Sequence, residues 1–108
     1  MTHQSRVIKK YPNRRLYDTA ESRYISFKDL CRLAADDVPF TVIESATGHD
    51  VTRPVLLQII ADLETGERAF LSTAMLTSIV RAHGKPGSYD PRPALEEAIG
   101  SRAIRRDS

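Results

Sequence analysis

At 108 residues the chain has room for one domain with a modest core, and its lone Cys31 excludes an internal disulfide framework and suits a reducing cytoplasm. A 41% hydrophobic share, with no apolar run near the ~20 residues that span a bilayer and no apolar signal core at the start, argues against membrane insertion and export. The net charge of +2 is too small to name a partner, yet its spread is informative: eight Lys and Arg stand against three acids through Arg32, leaving +5, and eight against eleven from Leu33 onward, leaving −3.

In chain order, residues 1–5 are polar and expected to fray. Val7-Ile8 opens a strand running to about Tyr11, Pro12-Asn13 reverses the chain, and Arg14 to Asp18 returns it. A second polar turn over 18–22 precedes Arg23-Tyr24-Ile25, so the start reads as a three-stranded meander. Ser26 reads as a helix N-cap with Asp29 three residues later, and Phe27, Leu30, Cys31 and Ala34 form one apolar stripe ending near Ala35. Phe40 to Glu44 is the next strand, and Thr47-Gly48 turns it into a hairpin with His49-Asp50-Val51. Thr52 is expected to cap a second helix, with Pro54 in its first turn and Val55, Leu56, Ile59, Ile60 and Leu63 on its buried side. Ser72 caps a third, whose stripe is Met75, Leu76, Ile79 and Val80, closed by Gly84 and Pro86. Residues 85–93 are rich in Pro and Gly and read as a linker, Leu95 to Ile99 as a marginal helix, and 102–108 as a polar basic tail. The expected fold is therefore α+β: an antiparallel meander, a second hairpin and three short helices, with a domain over 6–84 and a linker and tail over 85–108.

Little in this pattern suits catalysis. His3, His49 and His83 are scattered, none at metal-ligand spacing from Cys31, and no phosphate-binding glycine loop or nucleophile elbow occurs. Cys31 falls on an apolar stripe, where packing is its expected role. Neither enzyme activity nor a metal or cofactor is expected.

Arg6 to Arg15 (RVIKKYPNRR) is different: five basic residues, no acid, and Tyr11 among them. Such a ribbon suits a polyanion, nucleic acid above all, although a solvated charged surface gives the same composition. A two-stranded ribbon fits the major groove of duplex DNA, where Arg can donate two hydrogen bonds to guanine. Lys9 and Lys10 should point to opposite faces, as should Arg14 and Arg15, so only part of the cluster can meet one ligand. The favoured division puts Arg14 and Arg15, at the turn, nearest the bases or adjacent phosphates, with Lys9, Lys10 and Arg23 on phosphates. Tyr11, Tyr17 and Tyr24 either donate to phosphate or pack on the helices. One ribbon is a small footprint, which points to a homo-oligomer.

These segments resemble a known family. IKKYPNRRLYDT at 8–19, SRYISFKDL at 22–30, ATGHDVTR at 46–53 and VLLQII at 55–60, with a looser match over 72–84 ending RAHG, are similar to the N-terminal DNA-binding domain of the polyhydroxyalkanoate synthesis repressors, also called polyhydroxybutyrate accumulation regulators. The resemblance implies a cytoplasmic regulator that binds promoter DNA of polymer-granule genes, including that of the phasin coat protein, represses them, and leaves DNA when it binds the polymer. Departures are Glu44-Ser45-Ala46 and His49 around the Thr47-Gly48 turn, where the family more often has an acid and Lys before and an acid after, and the lack of Pro near Ser72. Family members usually continue into a longer C-terminal region linked to polymer response and assembly.

The expected function is thus a DNA-binding transcriptional repressor of polymer-storage genes, with Lys9, Lys10, Tyr11, Asn13, Arg14, Arg15, Tyr17 and Arg23 as its DNA-binding residues. Its expected partners are double-stranded promoter DNA, polyhydroxyalkanoate polymer and further copies of itself, with no membrane. The alternative is a granule-associated module that binds polymer or protein with little DNA affinity; RNA binding is a third reading, since phosphate attraction does not separate the two nucleic acids.

Overall fold

Strand β1 (Arg6–Lys10) turns back on β2 (Leu16–Asp18), which turns again into β3 (Arg23–Ile25). The first reversal is a tight turn in which the Arg14 N–H donates to the Tyr11 carbonyl at 2.8 Å and the Tyr11 N–H to the Arg15 carbonyl at 2.9 Å. Arg14 closes it in the left-handed region, at φ 71°, the position a bulged hairpin loop usually gives to Gly. The computed structural model describes residues 5–85, 87 and 90–107, with side chains through Gly100; the expectations for 1–4, for linker positions 86, 88 and 89 and for Ser108 lie outside these residues.

Helix α1 (Phe27–Ala35) starts on a full capping box: the Asp29 N–H donates to the Ser26 hydroxyl while the Ser26 N–H donates to the Asp29 carboxylate. It ends with Asp37 at φ 58°, the Asp37 N–H donating to the Ala34 carbonyl and the Val38 N–H to the Leu33 carbonyl. This is a Schellman close with a non-glycine residue in the left-handed place. The chain then enters β4 (Phe40–Glu44), which pairs with β1 in parallel, Ile8 opposite Val42. The sheet is mixed, in the order β3-β2-β1-β4.

The expected second hairpin is abbreviated. After Gly48, at φ 79°, the return arm touches β4 only through an isolated bridge between Ile43 and Asp50. The bridge is closed by the Val51 N–H on the Val42 carbonyl at 2.8 Å and the Glu44 N–H on the His49 carbonyl at 2.9 Å, while the Val42 N–H on this edge strand donates to the Thr52 hydroxyl at 2.8 Å. Thr52 therefore does not cap α2 (Thr52–Glu64); it lies within the first turn with its hydroxyl committed to the sheet edge, and Asp50 accepts the Thr52 N–H.

The core lies on one face of the sheet. Ile8, Leu16 and Val42 from the strands meet Leu30 of α1 and Val55 and Ile59 of α2, flanked by Ile25, Phe27, Cys31, Leu33, Phe40 and Val51. Val55 and Ile59 are one helical turn apart, so α2 buries a narrow stripe, and Leu56, Ile60 and Leu63 stay at the surface against expectation.

Cα packing divides the chain into two units, 1–62 and 63–108. In the second, Glu64 accepts the N–H groups of Phe70 and Leu71, Ser72 caps α3 (Thr73–Gly84) by accepting the Met75 N–H, and α4 (Arg92–Asp107) is longer than the short helix expected there. None of the described α3 side chains is buried: Leu76 and Val80 of the expected stripe are exposed. No helix among the described residues is long and apolar enough to cross a membrane.

Candidate nucleic-acid interface

Because side chains alternate along a strand, the pairing register assigns every strand residue to one of two faces. Ile8, Leu16, Ile25 and Val42 share the core face, and both helices of the first unit pack there. The other face carries a row in which Tyr24 pairs with Tyr17, Tyr17 with Lys9 and Lys9 with Ile43. Val7 and Thr41 form the next row. The tyrosines thus stand on the face away from the helices of the first unit, against the reading in which they pack on those helices.

At the turn end, Tyr11 and Arg15 join this face. The Tyr17 ring meets Tyr24 edge-on at 5.2 Å, Tyr11 lies tilted at 6.2 Å from the same ring, and the Arg15 guanidinium carbon sits 3.9 Å from the Tyr24 centroid. A tyrosine pair in this geometry contributes roughly 0.5–1.5 kcal/mol and an exposed guanidinium over a ring roughly 0.5–1 kcal/mol. Arg15 is held at its backbone too: its N–H donates to the Asn13 Oδ1 at 3.1 Å, and its carbonyl accepts the Tyr11 N–H.

The basic residues fall into two groups. Toward the β2–β3 turn, Arg6 donates to the buried Asp18 at 3.1 Å and lies 3.6 Å from Glu21, while Arg23 donates to Glu21 at 2.7 Å. The Glu21 carboxylate raises the Arg23 guanidinium further above its ordinary pKa. Asp18 also accepts the Ala20 and Glu21 N–H groups, so one buried carboxylate organises that turn and neutralises Arg6. At the opposite end Lys9, Lys10, Arg14 and Arg15 form no ion pair with any described residue. Of the five basic residues in this acid-free ribbon, Arg6 alone is thus neutralised by acids from the neighbouring turn, among the described residues.

Of the expected site residues, the structure gathers Lys9, Tyr11, Arg15 and Tyr17 on the open face and places Asn13 and Arg14, both exposed, at the turn tip. Lys10 and Arg23 lie in register with Leu16 and Asp18, on the core side of the sheet, and Arg23 is bound to Glu21. Tyr24 is the addition. It is 47% exposed and is the ring on which Tyr11, Tyr17 and Arg15 converge. It stands beside Tyr11 and Tyr17 among the tyrosines of the sequence but outside the expected site residues; its alternation with the core-facing Ile25 is the signal that sets it on the open face. Among the described residues no three His, Cys, Asp or Glu side chains come together in a set able to hold a metal ion.

This arrangement, a shallow aromatic layer rimmed by the uncompensated Lys9, Arg14 and Arg15, can meet a polyanion with both charge and hydrogen-bonding hydroxyls. The family model for the PHB/PHA accumulation regulator DNA-binding domain matches residues 7–67, which contain every one of these side chains. The chain is 49% identical over 82 residues to an uncharacterized protein of Allochromatium vinosum, covering 76% of this chain and 54% of that one. It is 48% identical over 82 residues to an uncharacterized protein in the phbA 5′ region of Thiocystis violacea, covering 76% and 59% respectively. The chain thus spans little more than half the length of these curated relatives. No solved structure matches it.

Proposed function

The chain belongs to the PHB/PHA accumulation regulator DNA-binding domain family, and we propose that it is a non-enzymatic, cytoplasmic repressor that binds promoter DNA of polymer-granule genes through the open face and turn tip of its sheet. The observation that carries this reading is the set of unpaired cations at the turn end, Lys9, Arg14 and Arg15, beside the tyrosine layer. Cations already matched by acids have little to gain from phosphate, whereas these unpaired ones release counterions from DNA on binding. A single hairpin buries little surface, so binding as a homo-oligomer is part of the proposal. The exposed Leu56, Leu57 and Ile60 of α2 support a second element: polymer binds the protein there and draws it off DNA, through a state or surface incompatible with promoter binding.

The test is a salt titration of the full chain on a fluorescent duplex from a phasin-gene promoter, with scrambled duplex as competitor. Each phosphate contact contributes about −0.9 to the slope of log K against log salt. A steep slope with preference for the promoter is expected, and Arg14 and Arg15 replaced together by Ala should abolish the preference with the fold intact. A flat slope, or equal affinity for both duplexes at every salt, overturns the reading in favour of a polymer- or protein-interaction module.

A further inference from the structure

Building on the DNA-binding reading, we infer that Arg15 reads a base of duplex DNA and that Tyr24 is the residue that positions it. The four unpaired cations are not equivalent. Lys9 and Lys10 carry compact charges on flexible stems, suited to phosphate. Arg14 is exposed at the tip, with its backbone in the left-handed region. Arg15 alone is held along its whole length: its N–H and carbonyl are bound by Asn13 and Tyr11, and its guanidinium lies on the Tyr24 ring at 3.9 Å.

The aromatic beneath Arg15 is itself fixed, by Tyr17 edge-on and Tyr11 tilted against it. Stacking satisfies the flat side of a guanidinium and leaves the N–H groups at its rim pointing outward, and no described acid takes them. Two of these groups in a fixed fork match guanine O6 and N7 in the major groove. Residues 11–15 lie beyond the last ladder partners, Lys10 opposite Glu44 and Leu16 opposite Ile25, at the end of the sheet where Ser45 donates its N–H to the Lys10 carbonyl. A two-stranded turn of this size can enter the major groove.

The same contact disfavours single-stranded nucleic acid. Stacking an unpaired base needs a free ring face, and on Tyr24 Arg15 occupies one of the two.

The experiment selects a duplex from a random 20-base-pair pool with the full-length wild-type chain, then measures affinity for that duplex, its scrambled version and its single strand across salt. Arg15→Lys keeps the charge and loses the fork. It should leave the salt slope unchanged and lower the ratio of selected to scrambled affinity roughly 5- to 150-fold. Tyr24→Leu should lower the ratio in the same direction, and Tyr24→Phe, which keeps the ring, should retain it. A wild-type ratio in Arg15→Lys overturns the inference while leaving DNA binding in place, and Arg15→Lys decides the matter even if Tyr24→Leu fails to fold. Arg15→Ala that lowers the slope by about one with the ratio unchanged makes Arg15 a phosphate contact and also overturns it. Tighter binding of the single strand overturns base reading in a duplex. A wild-type chain that selects nothing defeats the DNA-binding reading itself.

Discussion

Asp18 is the residue whose loss should be felt most in the turn that carries Tyr17 and Tyr24. Its side chain is 2% exposed and accepts three hydrogen bonds: Arg6 at 3.1 Å, the Ala20 N–H at 2.9 Å and the Glu21 N–H at 3.3 Å. Asp18→Ala removes all three. The two N–H groups belong to exposed residues that water can reach, so each loss is about 0.5–1 kcal/mol, the lower part of the usual range. The Arg6 side chain is 25% exposed and keeps Glu21 within 3.6 Å, so it is not left as an isolated buried charge. That contact therefore falls well short of the ~3–5 kcal/mol for breaking a fully buried pair, and about 1–1.5 kcal/mol is reasonable. Together the loss comes to roughly 2–3.5 kcal/mol, a large share of the ~5–10 kcal/mol total for a small domain. The assay is urea unfolding followed by the near-UV circular dichroism of the tyrosines, three of which sit on this sheet. The midpoint should fall by about 1.5–3 M with the m-value unchanged. A loss below about 0.5 kcal/mol would refute the reasoning, because the ion pair and the turn bonds would then do no more than offset the burial of the carboxylate.

Three further outcomes follow from single contacts. Arg14→Gly relieves a non-glycine residue at φ 71° and should leave stability unchanged or raise it by up to about 1 kcal/mol, read in the same urea assay. Thr52→Val keeps the shape but removes the hydroxyl that accepts the Val42 N–H at 2.8 Å, and should lower stability by about 1–2 kcal/mol while exposing that amide to hydrogen exchange. The Asp29 carboxyl is held below its ordinary value of 3.8 by the Ser26 N–H and hydroxyl. A group depressed on folding contributes fully above that value and loses its contribution as pH falls through the folded pKa. The stability difference between wild type and Asp29→Asn, followed by helix circular dichroism, should therefore be constant above about pH 5 and shift against wild type as the pH falls through and below the carboxylate range.

The capping box at Ser26 and Asp29, the Ser72 cap, the Pro12-Asn13 reversal and the three-stranded start were legible in the sequence because each is settled by groups within a few residues of one another. So was the concentration of positive charge before Arg32. Tertiary structure alone decided how that charge is used. Arg6 is matched by Asp18 and Glu21 because pairing β1 with β2 brings a later turn beside an earlier strand, while Arg23 meets Glu21 locally and Lys9, Lys10, Arg14 and Arg15 lie at the end that those acids do not reach. The parallel docking of β4 on β1, and the use of Thr52 to close its edge rather than to cap α2, depend on a pairing across more than thirty residues of chain. The narrow stripe of α2 and the convergence of three tyrosines and Arg15 have the same origin. Alternation along a strand divides residues between two faces, but which face receives the helices, and which is left open to a ligand, is set by how the elements pack together.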